Sequence, residues 1–104
     1  MFYTRYLDDD YIEELYDNYD ISYLKSIDED NFNKIYNLFK KYKFDYMEDI
    51  ILRYIDIFEL EPAIVESKLN KLIKVLSSKY VDIIGNNMTY LEYIMENEQE
   101  IQEW

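Results

Sequence analysis

Apolar residues recur at steps of three and four along most of this chain, which is the spacing of one face of an α-helix. The most regular stripe consists of Phe32, Ile35, Tyr36, Phe39 and Tyr42. Asp28 precedes this stripe and suits a helix N-terminus. Lysines lie at its C-terminal end, where cations interact favourably with the negative end of the helix dipole. The pattern therefore predicts a helix that begins at Asp28 and ends near Lys43.

Two more helices are predicted on either side of this one. The first runs from Asp8 to Tyr19 and opens on three aspartates, which the positive end of the dipole stabilises. Asp45 suits the cap of the other, which carries apolar side chains as far as Phe58. We expect the helix after Asp45 to be central and the most deeply buried, because its apolar stripe is wide. A short turn or helix joins Ile21 to Leu24.

The next part of the chain carries two helix signals. Pro62 stands where proline is tolerated, at the first position of a helix that continues to Leu76. The short apolar segment Tyr80–Ile84 is followed by Gly85, which suits a left-handed cap. The β-branched residues of this segment are also compatible with a strand, but no partner strand is evident.

The last helix is predicted from the spacing of Thr89 and Glu92, which is that of a capping box. It precedes an acidic tail, 96–104. Trp104, at the end of this tail, has two interpretations: a core plug that folds back, or an exposed contact residue.

Turn residues are scarce, since the 104 residues include one Gly and one Pro. Sheet proteins use such residues at most hairpins. We therefore predict a single acidic helical domain, 1–104, built as a compact all-α bundle of five to six short helices.

An internal repeat with an offset of 37 residues is a further possibility. It places 32–39 over 69–76, and 44–47 over 81–84, with Asn33, Lys34 and Asp45 matched by identical residues. Two interpretations stay open: two degenerate paired-helix units, or the chance agreement of two amphipathic helices.

One stretch, Phe44 to Gly85, resembles a helical repeat of the mitochondrial transcription termination factor type. A helix, a short segment, a proline-led helix at Pro62 and a third short helix follow in the same order. The resemblance implies an all-α repeat fold. In that family the arrays bind nucleic acid through basic grooves, whereas this chain is acidic, so no functional residue is transferred.

The charge of the chain restricts its possible functions more than the hydrophobic pattern does. Twenty-three Asp and Glu face eleven Lys and Arg, for a formal net charge of −12. Such a chain is unsuited to direct binding of nucleic acid or of anionic lipid, and no stretch is apolar enough to span a membrane. We expect a cytoplasmic protein.

The side chains that most catalytic mechanisms use are absent, because the chain has no His and no Cys. The commonest general base, the thiolate nucleophile and the Cys zinc site are excluded. The single glycine excludes a phosphate-binding loop. We therefore expect no enzyme activity, no cofactor and no metal.

The charge lies in blocks along the sequence. Residues 1–30 hold ten acids and two bases, whereas 31–43 hold four lysines and no acid. Lysines also outnumber acids in 62–79. If the helices pack antiparallel, we expect the basic helices to pair internally with acidic neighbours, which leaves the first helix and the tail with free negative charge.

The candidate partner-binding face is the first helix. Its carboxylates and tyrosines are Asp8, Asp9, Asp10, Glu13, Glu14, Asp17, Asp20, Tyr11, Tyr16 and Tyr19. Carboxylates spaced along a helix can engage Arg and Lys, and tyrosine rings accept arginine. The alternative is an ordinary solvated face whose tyrosines turn into the core.

We expect the partner to be a basic protein, a nuclease or another nucleic-acid-binding effector. The first hypothesis is an inhibitor that blocks the basic cleft of such an enzyme by charge mimicry. In composition the chain resembles small acidic anti-defence inhibitors of phages, anti-CRISPR proteins among them. The alternatives are an immunity protein or antitoxin that neutralises a cationic nuclease, and a helical adaptor or scaffold.

Overall fold

The computed structural model describes residues 1–96, and over that range the chain is helical with no strand. Six helices are followed by a single helical turn, α7. Their bounds are α1 Asp9–Asn18, α2 Ile21–Lys25, α3 Glu29–Lys41, α4 Met47–Tyr54, α5 Pro62–Leu76, α6 Tyr80–Asn86 and α7 Glu92–Met95. Shorter 3-10 helices cover Phe2–Tyr6, Ile55–Glu59, Ser77–Lys79 and Met88–Leu91. The all-α prediction is confirmed.

The core is centred on α3 and on the segment formed by α4 and the 3-10 helix after it. α3 packs against α5 and against Ile55–Glu59. Phe32 is fully buried, and its ring stacks on Phe58 with centroids 4.5 Å apart. Burial of apolar side chains is the main stabilising contribution in a domain of this size. The prediction that the α4 segment is deeply buried is confirmed, since Ile50, Ile51 and Ile55 are inaccessible.

Several predicted helix ends are confirmed. Asp8 is the N-cap residue of α1, and Pro62 is the first residue of α5. Asp28 caps α3, because its carboxylate accepts a hydrogen bond of 2.8 Å from the backbone N–H of Asn31. That bond satisfies one of the N–H groups that a helix leaves unpaired at its start.

The predicted cap at Asp45 is wrong. Tyr46 occupies the cap position of α4 and makes no side-chain hydrogen bond there. The reason lies upstream, where Lys43 takes a left-handed conformation with φ 72°. The N–H of Phe44 then bonds back to the carbonyl of Phe39, which ends α3 in a Schellman motif. This ending sets the path of the connection and delays α4 to Met47.

The predicted left-handed cap at Gly85 is also wrong, because Gly85 lies inside α6 and its φ is not positive. Its lack of a side chain serves a close approach instead. A Cβ at this position would lie 3.0 Å from Cε1 of the Tyr46 ring. The glycine therefore lets α6 pack directly on Tyr46.

The predicted capping box of Thr89 and Glu92 does not form. Asn87 accepts a hydrogen bond from the N–H of Thr89 and thereby caps the 3-10 helix Met88–Leu91. Glu92 begins α7 and accepts a bond from the Tyr54 hydroxyl. Asparagine and threonine are both good caps, so local sequence alone does not choose between them.

Only some of the positions that the 37-residue offset pairs are structurally equivalent. Phe32 and Leu69 are both fully buried, one on α3 and the other on α5. Further on, residues 44–47 form a connection and the start of α4, whereas 81–84 lie within α6. The equivalence therefore covers the two long amphipathic helices and not the segments after them.

Tyrosine hydroxyl groups join helices that are distant in sequence. Nine of the thirteen tyrosines donate to acceptors at least 21 residues away, and they are Tyr3, Tyr6, Tyr11, Tyr19, Tyr23, Tyr42, Tyr46, Tyr54 and Tyr80. Tyr23 of α2, for example, bonds to Asp56 and to Glu59. The high tyrosine content thus has a structural use, because each hydroxyl satisfies a polar partner while its ring packs on the core.

We expect Tyr3→Phe to lower the free energy of unfolding by about 1–2 kcal/mol, because a buried carbonyl loses its donor. Tyr3 is fully buried, and its hydroxyl donates to the carbonyl of Leu24 at 3.1 Å. Tyr16→Phe is the control, since Tyr16 is 42% exposed and its hydroxyl has no hydrogen-bond partner in residues 1–96. Urea denaturation measures both variants, and equal stability of the two would contradict this role for the hydroxyl.

Ser77→Gly is expected to raise stability by about 1 kcal/mol. Ser77 follows α5 with φ 67° and ψ −158°, a conformation that belongs almost entirely to glycine. Ser78→Gly is the control, because Ser78 has no positive φ and gains nothing from glycine. Thermal unfolding of both variants tests this, and a Ser77→Gly protein that melts below the parent would refute it.

No helix in residues 1–96 has both the length and the apolar character needed to cross a membrane.

Candidate partner-binding face

The first helix, α1, lies on the outside of the bundle and packs on α4. Leu15 is fully buried, and Ile12 packs against the same core. All seven carboxylates of the predicted face are exposed: Asp8, Asp9, Asp10, Glu13, Glu14, Asp17 and Asp20. The amphipathic pattern explains this division, because the apolar positions occupy one side of the helix and the acids the rest.

These carboxylates are not neutralised by cations in the described part of the chain. The ion pairs there join Arg5 to Glu29 and Lys41 to Glu66, each at 3.3 Å, and neither involves α1 or its flanking aspartates. Asp8 and Asp20 occupy N-cap positions but make no side-chain cap bond. The negative charge of α1 therefore faces solvent.

The expected pairing of basic helices with acidic neighbours takes a different form. Lys41 to Glu66 joins α3 to α5, the two lysine-rich helices themselves. The carboxylates of α4 turn instead to α1: Glu48 accepts the backbone N–H of Asp8 at 2.8 Å. The acids of α4 thus add to the negative face rather than compensate for the lysines.

The charge density of α1 is comparable to that of a nucleic-acid strand. Asp9, Asp10, Glu13, Glu14 and Asp17 lie within eight residue steps. At 1.5 Å per residue those steps span about 12 Å, so charges follow at roughly 3 Å intervals along the axis. One strand of DNA carries a charge about every 3.4 Å. A cationic cleft that fits a phosphate backbone would meet a similar density here.

The three predicted tyrosines have different environments. Tyr11 donates to the Asp49 carboxylate at 3.0 Å, and Tyr19 donates to the Leu52 carbonyl at 3.3 Å. The bond to Asp49 raises the pKa of Tyr11, and burial raises the pKa of Tyr19. Both hydroxyls are thus held within the protein. Tyr16 is 42% exposed and is the most accessible of the three tyrosines.

A cleft of about 550 Å³ is lined by residues of α1 and α4 beside the contact of the two helices. Glu14, Tyr11 and Tyr19 line one side, while Asp49 and Arg53 line the other. Asp49, like Glu48, is an acid of α4 on this face that the sequence interpretation did not include. The helical periodicity of α4 could have revealed Asp49. Asp49 and Arg53 are four residues apart and so lie on the same face of the helix, opposite the buried Ile51.

The chemistry of this face is that of closely spaced, exposed carboxylates. No group of three or more Asp or Glu in residues 1–96 has the geometry to hold a metal ion. Exposed carboxylates bind guanidinium and ammonium groups through charge-assisted hydrogen bonds. The acidic tail and Trp104 lie outside the described residues.

Comparison of the chain with protein-family models, with curated proteins and with solved structures gives no match. The resemblances to the transcription termination factor repeat and to anti-CRISPR proteins stay predictions.

Proposed function

We propose that this protein is an inhibitor that occupies the basic cleft of a nucleic-acid-binding enzyme by charge mimicry, as phage anti-defence proteins do. The partner is a cationic protein, and the contact is made by the carboxylates of α1 with Tyr16 at their centre. The protein itself performs no catalysis in this role.

The observation that carries the proposal is the exposure of all seven carboxylates without an ion pair in the described part of the chain. Internal neutralisation would have removed the field that attracts a cationic partner. A concentrated field of one sign accelerates association with the opposite sign and suppresses binding to anionic surfaces.

Affinity capture followed by competition with nucleic acid tests the proposal. The immobilised chain should retain a basic protein. Nucleic acid that this protein binds should compete with the chain for it, and binding of the chain should abolish the protein's enzymatic activity. A nuclease encoded beside this chain would favour the immunity-protein alternative, which uses the same surface. A partner that binds this chain and nucleic acid simultaneously would contradict mimicry.

A further inference from the structure

A groove of about 300 Å³ lies between the N-terminal half of α5 and α7, and no residue of α1 lines it. Its lining is mainly apolar and includes Leu60, Ile64, Ile94 and Met95. Ile64 is 41% exposed and Met95 is 37% exposed, so two large apolar side chains meet solvent at one place. Exposed Glu61 and Glu96 also line the groove.

The cation that lines the groove is held inside the protein. Lys68 is 1% exposed, its ammonium donates to the Glu96 carbonyl, and it lies 5.6 Å from the centre of the Tyr93 ring. A buried ammonium needs such partners to offset its desolvation. The charge that the groove presents to solvent is therefore that of the two carboxylates.

We infer that this groove binds a cationic amphipathic segment of a partner protein. Apolar side chains of that segment pack against Ile64 and Met95, and its lysines or arginines meet Glu61 and Glu96. Amphipathic segments bind apolar grooves in this way. The inference goes beyond the proposed function, because the groove shares no residue with the α1 face and its binding does not need that face.

Charge complementarity favours this occupant over the two others that the chain itself offers. Residues 97–104 contribute Glu98, Glu100 and Glu103 and no cation. A second copy of the chain carries a net charge of −12. Either would bring negative charge towards Glu61 and Glu96, and like charges brought together at an interface are unfavourable.

The test uses a fluorescent synthetic peptide of about 12 residues, with leucines on one helical face and lysines on the other. Fluorescence anisotropy measures its affinity for the full chain. Ile64→Ser combined with Met95→Ser should weaken binding about tenfold, because two apolar contacts are lost. Val75→Ser is the matched control, since Val75 is 79% exposed on the same helix and outside the groove. It should leave the affinity unchanged.

Further arms separate this groove from the α1 face. Reversal of Asp9, Glu13 and Asp17 to lysine should weaken peptide binding much less than the groove variant does. A peptide with serines in place of its leucines should lose most of its affinity, even though its charge is the same. Equal binding of the parent and the groove variant, or no loss with the serine peptide, would overturn the inference.

The other occupants give their own outcomes. If Ile101→Ser with Trp104→Ser raises peptide affinity about tenfold, the chain's own C-terminal residues compete for the groove and the inference is overturned. The same holds if sedimentation shows a dimer that the groove variant abolishes, because a second copy would then be the occupant.

Discussion

Reversal of Asp9, Glu13 and Asp17 to lysine is expected to reduce affinity for the captured basic partner at least about a hundredfold. These carboxylates follow at intervals of four residues along α1 and are all exposed. Each reversal replaces an attraction to Arg or Lys by a repulsion of similar size. Calorimetric titration of the partner measures the change, and circular dichroism should show the helix content of the parent.

The matched control reverses Asp30, Asp45 and Asp82. These residues are also exposed and make no side-chain hydrogen bond or ion pair in residues 1–96. Each reversal adds two positive charges, so both triple variants bring the net charge from −12 to −6. The control should lose only the part of the affinity that depends on net charge. Equal losses in the two variants would place the contact elsewhere than on α1.

Phe32→Ala is expected to lower the free energy of unfolding by about 3–5 kcal/mol, the range for a fully buried phenylalanine. Phe32 is inaccessible and its ring lies within 6.4 Å of five other aromatic rings. Truncation leaves a cavity between α3, the N-terminal 3-10 helix and Phe58. Domains of this size are stable by about 5–15 kcal/mol, so the loss is a large part of the total.

Phe32→Leu separates the volume of the ring from its aromatic contacts and should cost about 1.5 kcal/mol. Tyr90→Ala is the surface control, because Tyr90 is 38% exposed, and it should cost under about 1 kcal/mol. Urea denaturation ranks the three variants. A Phe32→Ala protein as stable as Tyr90→Ala would contradict the position of Phe32 at the centre of the core.

Helix positions were predictable because they depend on local spacing. The stripe that begins at Phe32 specifies α3, and Pro62 marks the first residue of α5. Such signals need only residues within a few turns of each other. The same is true of the outward direction of the acids of α1, which follows from the burial of Leu15 on the opposite side.

Connections and polar contacts were not predictable, because they depend on residues far apart in sequence. Asp45 has the chemistry of a cap, but the left-handed Lys43 sets the chain path before it. Gly85 leaves room for the ring of Tyr46, 39 residues earlier in the chain, and does not cap the end of its own helix. From the sequence alone Lys68 would be placed at the surface. In the structure its ammonium donates a hydrogen bond to the carbonyl of Glu96 inside the protein.

The candidate face shows the same division. The exposure of its carboxylates follows from helix periodicity. The participation of Asp49, and the internal hydrogen bonds of Tyr11 and Tyr19, depend on how α4 crosses α1. Tyrosine spacing alone does not tell a hydroxyl that joins two helices from one that faces a partner.

The most direct measurement is the affinity for the captured partner as a function of salt, with the parent and the α1 triple variant side by side. Binding through exposed carboxylates predicts that the parent loses roughly tenfold or more between about 50 and 500 mM salt, as screening shortens the range of its field. The variant should show a much flatter dependence. A parent whose affinity is the same at both salt concentrations would contradict the account.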